Sequence, residues 1–528
     1  MLDKYFKKSI HLQIQFIALL GISIGLPFSK IPLSLGMMLL GLNVIGFWDW
    51  KSVWNNWVKS TFIKLLMLFL ALQLLSVFWS ENLSNAADML RKELPLYVVS
   101  LCVVALPILT KYQIHALIYA FVGAVFLSSF INVGTYFHWW GSKVYDDIRS
   151  LSLFISHIRF ALMVALALTA SLTYLFVGKK YKWIAVILVG WFIFYLILSQ
   201  VGTGILVGFG VFVLLLVFFV QRIQSKKIKI GVTISTMLSF CLIVLYLSIQ
   251  LKPISPKVIL TEYDYNQKTV LGNSYTFHSP ETQIWENGYP IFAYLAESEL
   301  RKEWNKVSDL DFDTGKDTKG FLVHYTLIRY MTSKGLRKDS LHFHKLTPKD
   351  IQAVEQGIPS VEVKKGGLSA ILYRLRYQLH NNEDPNGKSL LERKEYLKAG
   401  LHLIQSHFFF GVGLGDIQDA FHRYYVQSQS KLAPENQHIT HNQFITVWII
   451  GGIACFLAFC SFWAYQFVEA IKSNSFLWLG FLIITCLSFL IEDTLQTQTG
   501  VTFVAFFAAL FCTYQKQFDS NNKGQQIC

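Results

Sequence analysis

Long apolar segments recur along most of the chain, and about twelve can be distinguished. Each has about 20 residues, enough for a helix to cross a hydrocarbon core about 30 Å thick. A water-soluble fold would have to bury all of these segments, so the pattern predicts an all-α, polytopic membrane protein with about twelve transmembrane helices. The predicted spans lie near residues 10–28, 31–48, 61–79, 94–110, 114–137, 152–177, 182–200, 203–221, 230–250, 441–468, 475–491 and 499–515.

A long hydrophilic segment, residues 251–440, interrupts this pattern. Within it, Thr347-Pro348-Lys349-Asp350 is typical of a helix start, because it offers a capping Thr, Pro at the first helical position and an acid in the first turn. Further on, apolar residues at helical spacing predict a stripe along another helix: Leu390, Leu397, Leu401 and Ile404. We therefore predict nine membrane helices over residues 1–250, a mostly helical extramembrane subdomain over 251–440, three membrane helices over 441–515 and a short tail over 516–528.

The distribution of charge supports this division and predicts an orientation. The chain has a net charge of +14, but residues 251–440 hold 24 Lys or Arg and 22 Asp or Glu, so 23 basic residues remain in the membrane part. With a cytoplasmic N-terminus, 17 of those 23 lie on cytoplasmic connections and termini. This bias predicts that both termini are cytoplasmic and that residues 251–440 face outward. It also argues against a nucleic-acid partner, since the excess charge orients membrane helices instead of forming a basic patch.

Residues 393–452 carry the most informative motifs. An Arg-led helix begins at Arg393, a turn follows with Gly411, Gly413 and Gly415, and His441-Asn442 opens an apolar span that reaches Gly451-Gly452. This arrangement resembles the C-terminal signature of O-antigen ligases and O-antigen polymerases, and the late outward loop agrees with that family. The acidic pair Glu492-Asp493 before the last span resembles some members as well.

The resemblance implies a glycosyltransferase of the bacterial inner membrane with a GT-C-like architecture, acting in lipopolysaccharide biosynthesis. Such an enzyme moves a glycan from undecaprenyl diphosphate to an acceptor at the periplasmic surface, without a cofactor or metal and with inversion at the anomeric carbon. The acceptor is lipid A-core for a ligase and another repeat unit for a polymerase. A polysaccharide or lipid transporter is the alternative from another class, although transporters place charges near the membrane midplane and here most lie at span ends.

Three residues are predicted to be catalytic. Charge develops on the diphosphate as it leaves, and Arg suits this need because it is always charged and forms paired hydrogen bonds. Arg393 lies beside the apolar stripe, where an unpaired charge is costly, but Lys394 lies near it as well, and the resemblance implies Arg393. Arg159 enters the sixth span at its outward end, where an ionisable residue is a functional candidate. His441 is assigned as the general base for the acceptor hydroxyl, or as the group that orients acceptor or phosphate.

Further residues are predicted to bind substrate: His157, Asn442, Arg91 and the glycines Gly411, Gly413 and Gly415. The glycines would let backbone amides approach phosphate, although a tight turn explains them equally well. The family's usual Arg after the seventh span is replaced by Val201, for which Arg159, Arg91 or Arg149 would compensate.

No metal site is predicted. His438 and His441 form a His-x-x-His pair, but no acidic or cysteine partner lies at zinc-site spacing, and no cysteine falls within residues 251–440. Glu492 and Asp493 are interpreted as partners of an arginine in a structural ion pair, although sugar hydroxyls are an alternative ligand. Arg374 and Arg376 are interpreted as surface residues.

Overall fold

The computed structural model describes residues 2–140, 151–178, 180–278, 284–381, 385–387 and 389–514. These residues are mainly helical, as predicted. They form two compact units, one of residues 1–225 with 393–528 and the other of residues 226–392. The hydrophilic segment 251–440 is therefore divided, because its last part belongs to the compact unit that holds most of the apolar helices.

The first unit holds a set of long apolar helices. Its helices are α1 (Leu2–Gly25), α2 (Lys30–Ile45), α3 (Trp50–Lys59), α4 (Thr61–Ser76), α5 (Leu83–Ala105), α6 (Lys111–Tyr136), α7 (His157–Val177), α8 (Lys182–Ser199) and α9 (Gly202–Arg222). After the second unit they continue as α18 (Ser389–Ser406, which begins just before the boundary), α19 (Ile417–Gln427), α20 (Gln443–Lys472), α21 (Phe476–Ile491) and α22 (Gln498–Thr513).

Each of the twelve predicted apolar segments contains a helix, but not all of these helices are both long enough and apolar enough to cross a membrane. Among the described residues, six are long and apolar enough, or seven if the bent pair α2–α3 counts as one span. Helices α21 and α22 have only 16 residues each, and α5 carries four charged residues in its first half. The structure thus supports a protein with several membrane-spanning helices, and the number twelve remains a prediction.

The core of the first unit lies around α7 and α22. Nearly all of α22 is buried, and three of its phenylalanines, Phe503, Phe507 and Phe511, pack with Phe481 of α21 at ring distances of 5.6 to 6.0 Å. Such dense aromatic packing fixes the loop between α21 and α22 at one end of the core. That loop contains Glu492 and Asp493.

Helix α20 is broken at a glycine pair. Gly451 and Gly452 leave helical geometry, with φ at Gly452 of +69°, and a Cβ on Gly452 would lie 2.0 Å from the carbonyl oxygen of Phe409. Only glycine fits both the conformation and the close approach. The backbone groups released by the break are satisfied by the segment after α18, since Val412 N donates to Ile449 O at 2.7 Å and Gly413 N to Ile450 O at 3.0 Å.

The second unit is a small helical subdomain with one hairpin. It holds α10 (Lys226–Gln250), α11 (Glu262–Tyr265), β1 (Trp285–Glu286), β2 (Tyr289–Pro290), α12 (Glu297–Val307), α13 (Val323–Ser333), α14 (Ser340–Phe343), α15 (Pro348–Glu355), α16 (Val361–Lys364) and α17 (Gly367–His380). Strands β1 and β2 pair antiparallel. The predicted helix start is confirmed, because Thr347 and Asp350 form a capping box on α15.

The helix predicted around the apolar stripe of Leu390, Leu397, Leu401 and Ile404 is present as α18, but the stripe is only partly buried. Ile404 is buried as predicted, whereas Leu397 and Leu401 are exposed and Leu403 is buried in their place. The buried face combines the large residues Tyr396 and Leu403 with the small residues Ala399 and Gly400. A Cβ on Gly400 would lie 2.5 Å from the Thr440 side chain, so part of this face is set by close backbone approach, which the spacing of large apolar residues does not reveal.

Candidate functional site

Four charged or titratable residues meet in the first unit, and we call them the Glu492 cluster: Arg159, Arg393, His441 and Glu492. Arg393 Nη2 lies 2.8 Å from Glu492 Oε1. Arg159 Nη1 lies 3.6 Å and His441 Nδ1 lies 3.7 Å from Glu492 Oε2. The three residues predicted to be catalytic are therefore brought together on one carboxylate, although they are up to 282 positions apart in the sequence.

The predicted ion pair of Glu492 with an arginine is confirmed, and two arginines take part in it. Arg159 lies in the first turn of α7 and is 8% exposed. Its Nε donates to Thr497 Oγ1 at 3.1 Å and its Nη2 to the Asp493 carbonyl oxygen at 3.5 Å. Because these donors tie Arg159 to the loop between α21 and α22, the guanidinium is held rigidly inside the protein.

Arg393 and His441 are more open than Arg159. Their side chains are 38% and 34% exposed, against 6% for Glu492. Arg393 uses Nη2 for Glu492, and the other donors of its guanidinium can face a ligand. The cluster therefore has a buried part, Arg159 and Glu492, which fixes its geometry, and a more accessible part, Arg393 and His441.

His441 is held in an uncommon conformation beside two rings. Its φ is +48°, which is rare for a residue other than glycine. The ring lies 5.5 Å from that of Tyr396 and 5.9 Å from that of His438. With Nδ1 directed to Glu492, Nε2 is the nitrogen available to an incoming group.

Asn442 fixes the start of α20. Its side-chain oxygen accepts hydrogen bonds from Phe444 N and Ile445 N at 3.1 and 3.2 Å, and its Nδ2 donates to Leu490 O at 3.0 Å. Asn442 was predicted to bind substrate, but its amide is used to cap the helix and to hold the end of α21. The structure therefore favours a positioning role.

The two acids of the loop differ in their electrostatics. Burial alone would raise the pKa of Glu492, but His441, Arg159 and Arg393 more than offset this effect and hold the pKa below its usual value. Burial raises the pKa of Asp493 to about 6, despite a hydrogen bond from Thr446 to its Oδ1 at 2.7 Å. Asp493 Oδ2 is buried and has no partner among the described residues.

Several predicted substrate-binding residues lie elsewhere or have another use. Arg91 is exposed and pairs with Asp88 at 2.7 Å, three residues before it. His157 begins α7, two residues before Arg159. Arg149 lies outside the described residues, and Val201 is buried at the start of α9.

The three glycines after α18 form a tight turn. A Cβ on Gly413, whose φ is +100°, would lie 2.4 Å from Ser80 Oγ, and one on Gly415 would lie 2.0 Å from Asn82 O. The amides of Gly411, Gly413 and Gly415 donate to His407 O, Ile450 O and Ser80 Oγ at 2.9 to 3.1 Å. These amides are engaged within the chain, which favours the turn over the alternative that they bind phosphate.

Within the described ranges, no group of three or more His, Cys, Asp or Glu is arranged to hold a metal ion. The rings of His438 and His441 lie side by side, with their centres 5.9 Å apart. Metal-independent chemistry, which the resemblance implies, remains a prediction.

Sequence reasoning missed the contributions of Thr446 and Thr497. Asp493 was recognised with Glu492, because an ionisable residue at the end of an apolar span is a functional candidate, but its carboxylate accepts a hydrogen bond from Thr446. The two threonines carry no such signal, because their roles arise only from contacts across the fold.

Comparison with known protein families gives one match. Residues 356–460 match the family model described as O-antigen ligase. This range is about a fifth of the chain and includes Arg393 and His441, whereas Arg159 and Glu492 lie outside it. A search of curated proteins finds no match. The resemblance stated from the motifs is thereby confirmed over these residues, and the apolar helices indicate a membrane protein.

Proposed function

We propose that this chain, which carries an O-antigen ligase family domain, is a metal-independent glycosyltransferase of the inner membrane. It moves a glycan from undecaprenyl diphosphate to an outer-leaflet acceptor such as lipid A-core. The observation that carries the proposal is the meeting of Arg159, Arg393 and His441 on the buried carboxylate of Glu492. The bias of basic residues supports an orientation in which this cluster faces the periplasm.

The donor step uses the arginines. The bond between the anomeric carbon and the phosphate oxygen breaks, and its electron pair leaves with the lipid diphosphate. Arg393, with donors beyond the one given to Glu492, stabilises that growing charge, and Arg159 adds a positive charge from the buried side. Glu492 holds both guanidiniums in place before the donor arrives, so little reorganisation is needed during the reaction.

The acceptor step uses His441. Its Nε2 takes the proton from the acceptor hydroxyl while the hydroxyl oxygen attacks the anomeric carbon from the side opposite to the diphosphate. The carboxylate of Glu492 near Nδ1 orients the ring and stabilises the imidazolium that forms. A single displacement of this kind inverts the configuration at the anomeric carbon.

The same chemistry serves a repeat-unit polymerase, which remains the alternative. A deletion strain distinguishes the two on a lipopolysaccharide gel. Loss of all long chains with accumulation of carrier-linked polymer indicates a ligase, whereas a core that carries one repeat indicates a polymerase.

The break in α20 does not support the alternative of a transporter, because the backbone groups at the break are bonded within the chain. In transporters, a break in a membrane helix leaves backbone groups free to bind substrate or ion. At the break at Gly451-Gly452, the backbone amides of Val412 and Gly413 donate hydrogen bonds to the carbonyl oxygens of Ile449 and Ile450.

The test of the proposed function is transfer by the purified protein, with donor binding measured separately. His441→Ala should lose transfer by about 100-fold or more, as when a preorganised catalytic group is removed, and should keep most donor binding. His438→Ala, which removes the neighbouring ring, is the matched control and should retain activity.

Transfer by the wild-type protein should continue in excess chelator. Transfer by His441→Ala at the wild-type rate, or chelator-sensitive activity restored by one divalent ion, would contradict the mechanism. Loss of donor binding in His441→Ala would move that histidine from base to phosphate ligand.

A further inference from the structure

The second unit contains a partly open cavity of about 120 Å³ beside the hairpin of β1 and β2. It lies where the chain leaves α10 and meets the last turns of α17. The lining residues on which the argument rests are Trp285, Asn287, Tyr373, Arg376, Tyr377 and Asn381. We call it the Arg376 pocket, and its size suits a single sugar ring better than a chain.

Arg376 is unusual among the arginines of this unit. It is only partly exposed, and its buried Nε has no hydrogen-bond partner in the part of the chain that the structure describes. Its guanidinium lies 5.3 Å from the centre of the Tyr373 ring. By contrast, Arg329 pairs with Glu286 at 2.7 Å in the same region. A buried guanidinium nitrogen without an acceptor is costly, and the charged group lines the cavity, which points to an anionic ligand.

The wall around Arg376 is held rigidly by its own hydrogen bonds. Asn381 accepts from Trp285 N at 3.1 Å and donates to Trp285 O at 3.0 Å. The Tyr373 hydroxyl donates to Glu286 and accepts from Asn287 N at 3.1 Å. These bonds fix the backbone of Trp285 and the side chain of Tyr373 in place, and such preorganisation lowers the entropy lost when a ligand binds.

We propose that the Arg376 pocket binds a sugar ring that carries a carboxylate, such as a uronic acid residue of a glycan. The C–H face of the ring packs against the aromatic wall of Trp285, Tyr373 and Tyr377, and the carboxylate pairs with Arg376 in the planar geometry that a guanidinium favours. The site belongs to the second unit alone, and its ligand binding does not depend on the transfer reaction.

The experiment measures ligand binding by the full chain in detergent micelles. Binding is detected by saturation-transfer NMR with three probes: glucuronate, glucose and inorganic phosphate. Glucuronate should bind more tightly than glucose, with its ring protons saturated by the protein. Arg376→Gln should raise the dissociation constant for glucuronate about tenfold or more and leave that for glucose nearly unchanged.

Arg374→Gln is the matched control, because Arg374 is exposed on the same helix two residues earlier. It should bind glucuronate as the wild type does. Equal glucuronate binding by the two variants would overturn the proposal, and so would phosphate binding as tight as that of glucuronate, which would indicate a phosphate or lipid-headgroup site. If melting curves show that Arg376→Gln does not fold, Arg376→Lys replaces it. This variant should then bind glucuronate more weakly than the wild type, and unchanged affinity would overturn the pairing.

Discussion

Two buried carboxylates, one in each compact unit, are surrounded by cations in different ways. In the second unit, Asp350 accepts hydrogen bonds from Tyr330, Lys334 and Lys364 at 2.5 to 2.9 Å, and from the backbone and side chain of Thr347 at 3.0 and 2.9 Å. Both of its oxygens are satisfied. Burial would raise the pKa of Asp350, but these bonds outweigh it and leave the pKa far below its usual value.

Glu492 in the first unit has one close partner and two distant ones. Arg393 lies at 2.8 Å, while Arg159 and His441 lie at 3.6 and 3.7 Å. Next to it, Asp493 keeps a buried oxygen with no partner among the described residues.

The contrast separates a network that stabilises the fold from one prepared for a ligand. A satisfied network such as that of Asp350 has no capacity left for another molecule. The Glu492 cluster keeps donors on Arg393 and an imidazole nitrogen on His441 at accessible positions, which is the kind of arrangement found at functional sites.

The largest expected effect on stability follows from Glu492→Gln. This change leaves the buried guanidinium of Arg159 without its charge partner, so the free energy of unfolding should fall by about 4 kcal/mol. The protein that remains folded should also lose transfer by about 100-fold, because Arg393 loses its fixed position and Arg159 loses its charge partner. Unfolding in mixed micelles and transfer below the melting temperature measure the two effects. A stable variant with normal transfer would show that Glu492 neither stabilises the buried Arg159 nor organises the site.

Asp350→Asn should have a smaller effect on stability and none on chemistry. Its partners Lys334 and Lys364 are partly exposed, so water can replace some of the lost interaction, and the free energy of unfolding should fall by about 3 kcal/mol. Transfer per folded molecule should equal that of the wild type. If transfer fell as far as it does in Glu492→Gln, the two carboxylates would not differ in role as the comparison requires.

The smallest expected effect concerns Asp493 and appears as a dependence on pH. The pKa of this carboxyl is raised to about 6, so the folded protein holds its proton more tightly than the unfolded chain does. The stabilisation is present at pH 4 and is lost as the pH rises through about 6. Relative to Asp493→Asn, the wild type should lose on the order of 2 kcal/mol between pH 4 and pH 8. A stability difference that is constant over this range would show that Asp493 is ionised throughout.

The sequence predicts the apolar helices, the helix start at Thr347 and the three residues that meet at Glu492. Helix signals are local or periodic, so they can be recognised without a structure, whereas the choice of Arg393 over Lys394 and the role of His441 rest on the resemblance to the O-antigen ligase family. The buried face of α18 could be predicted only in part, because it includes the small residues Ala399 and Gly400, which give no hydrophobic signal, beside large ones such as Leu403. The use of the Asn442 amide and of the glycine amides also depends on contacts with Leu490, Ser80 and Ile450, which are distant in sequence.

The most direct test of the central claim is glycan transfer from a defined undecaprenyl-diphosphate donor by Arg393→Lys. Lys keeps the positive charge but loses the planar paired hydrogen bonds, so the account predicts a loss of about 100-fold in rate in a protein that folds and inserts normally. Lys394→Arg, at the exposed neighbouring position, is the matched control and should transfer at the wild-type rate. Full activity in Arg393→Lys would contradict the assignment of Arg393 to the leaving diphosphate.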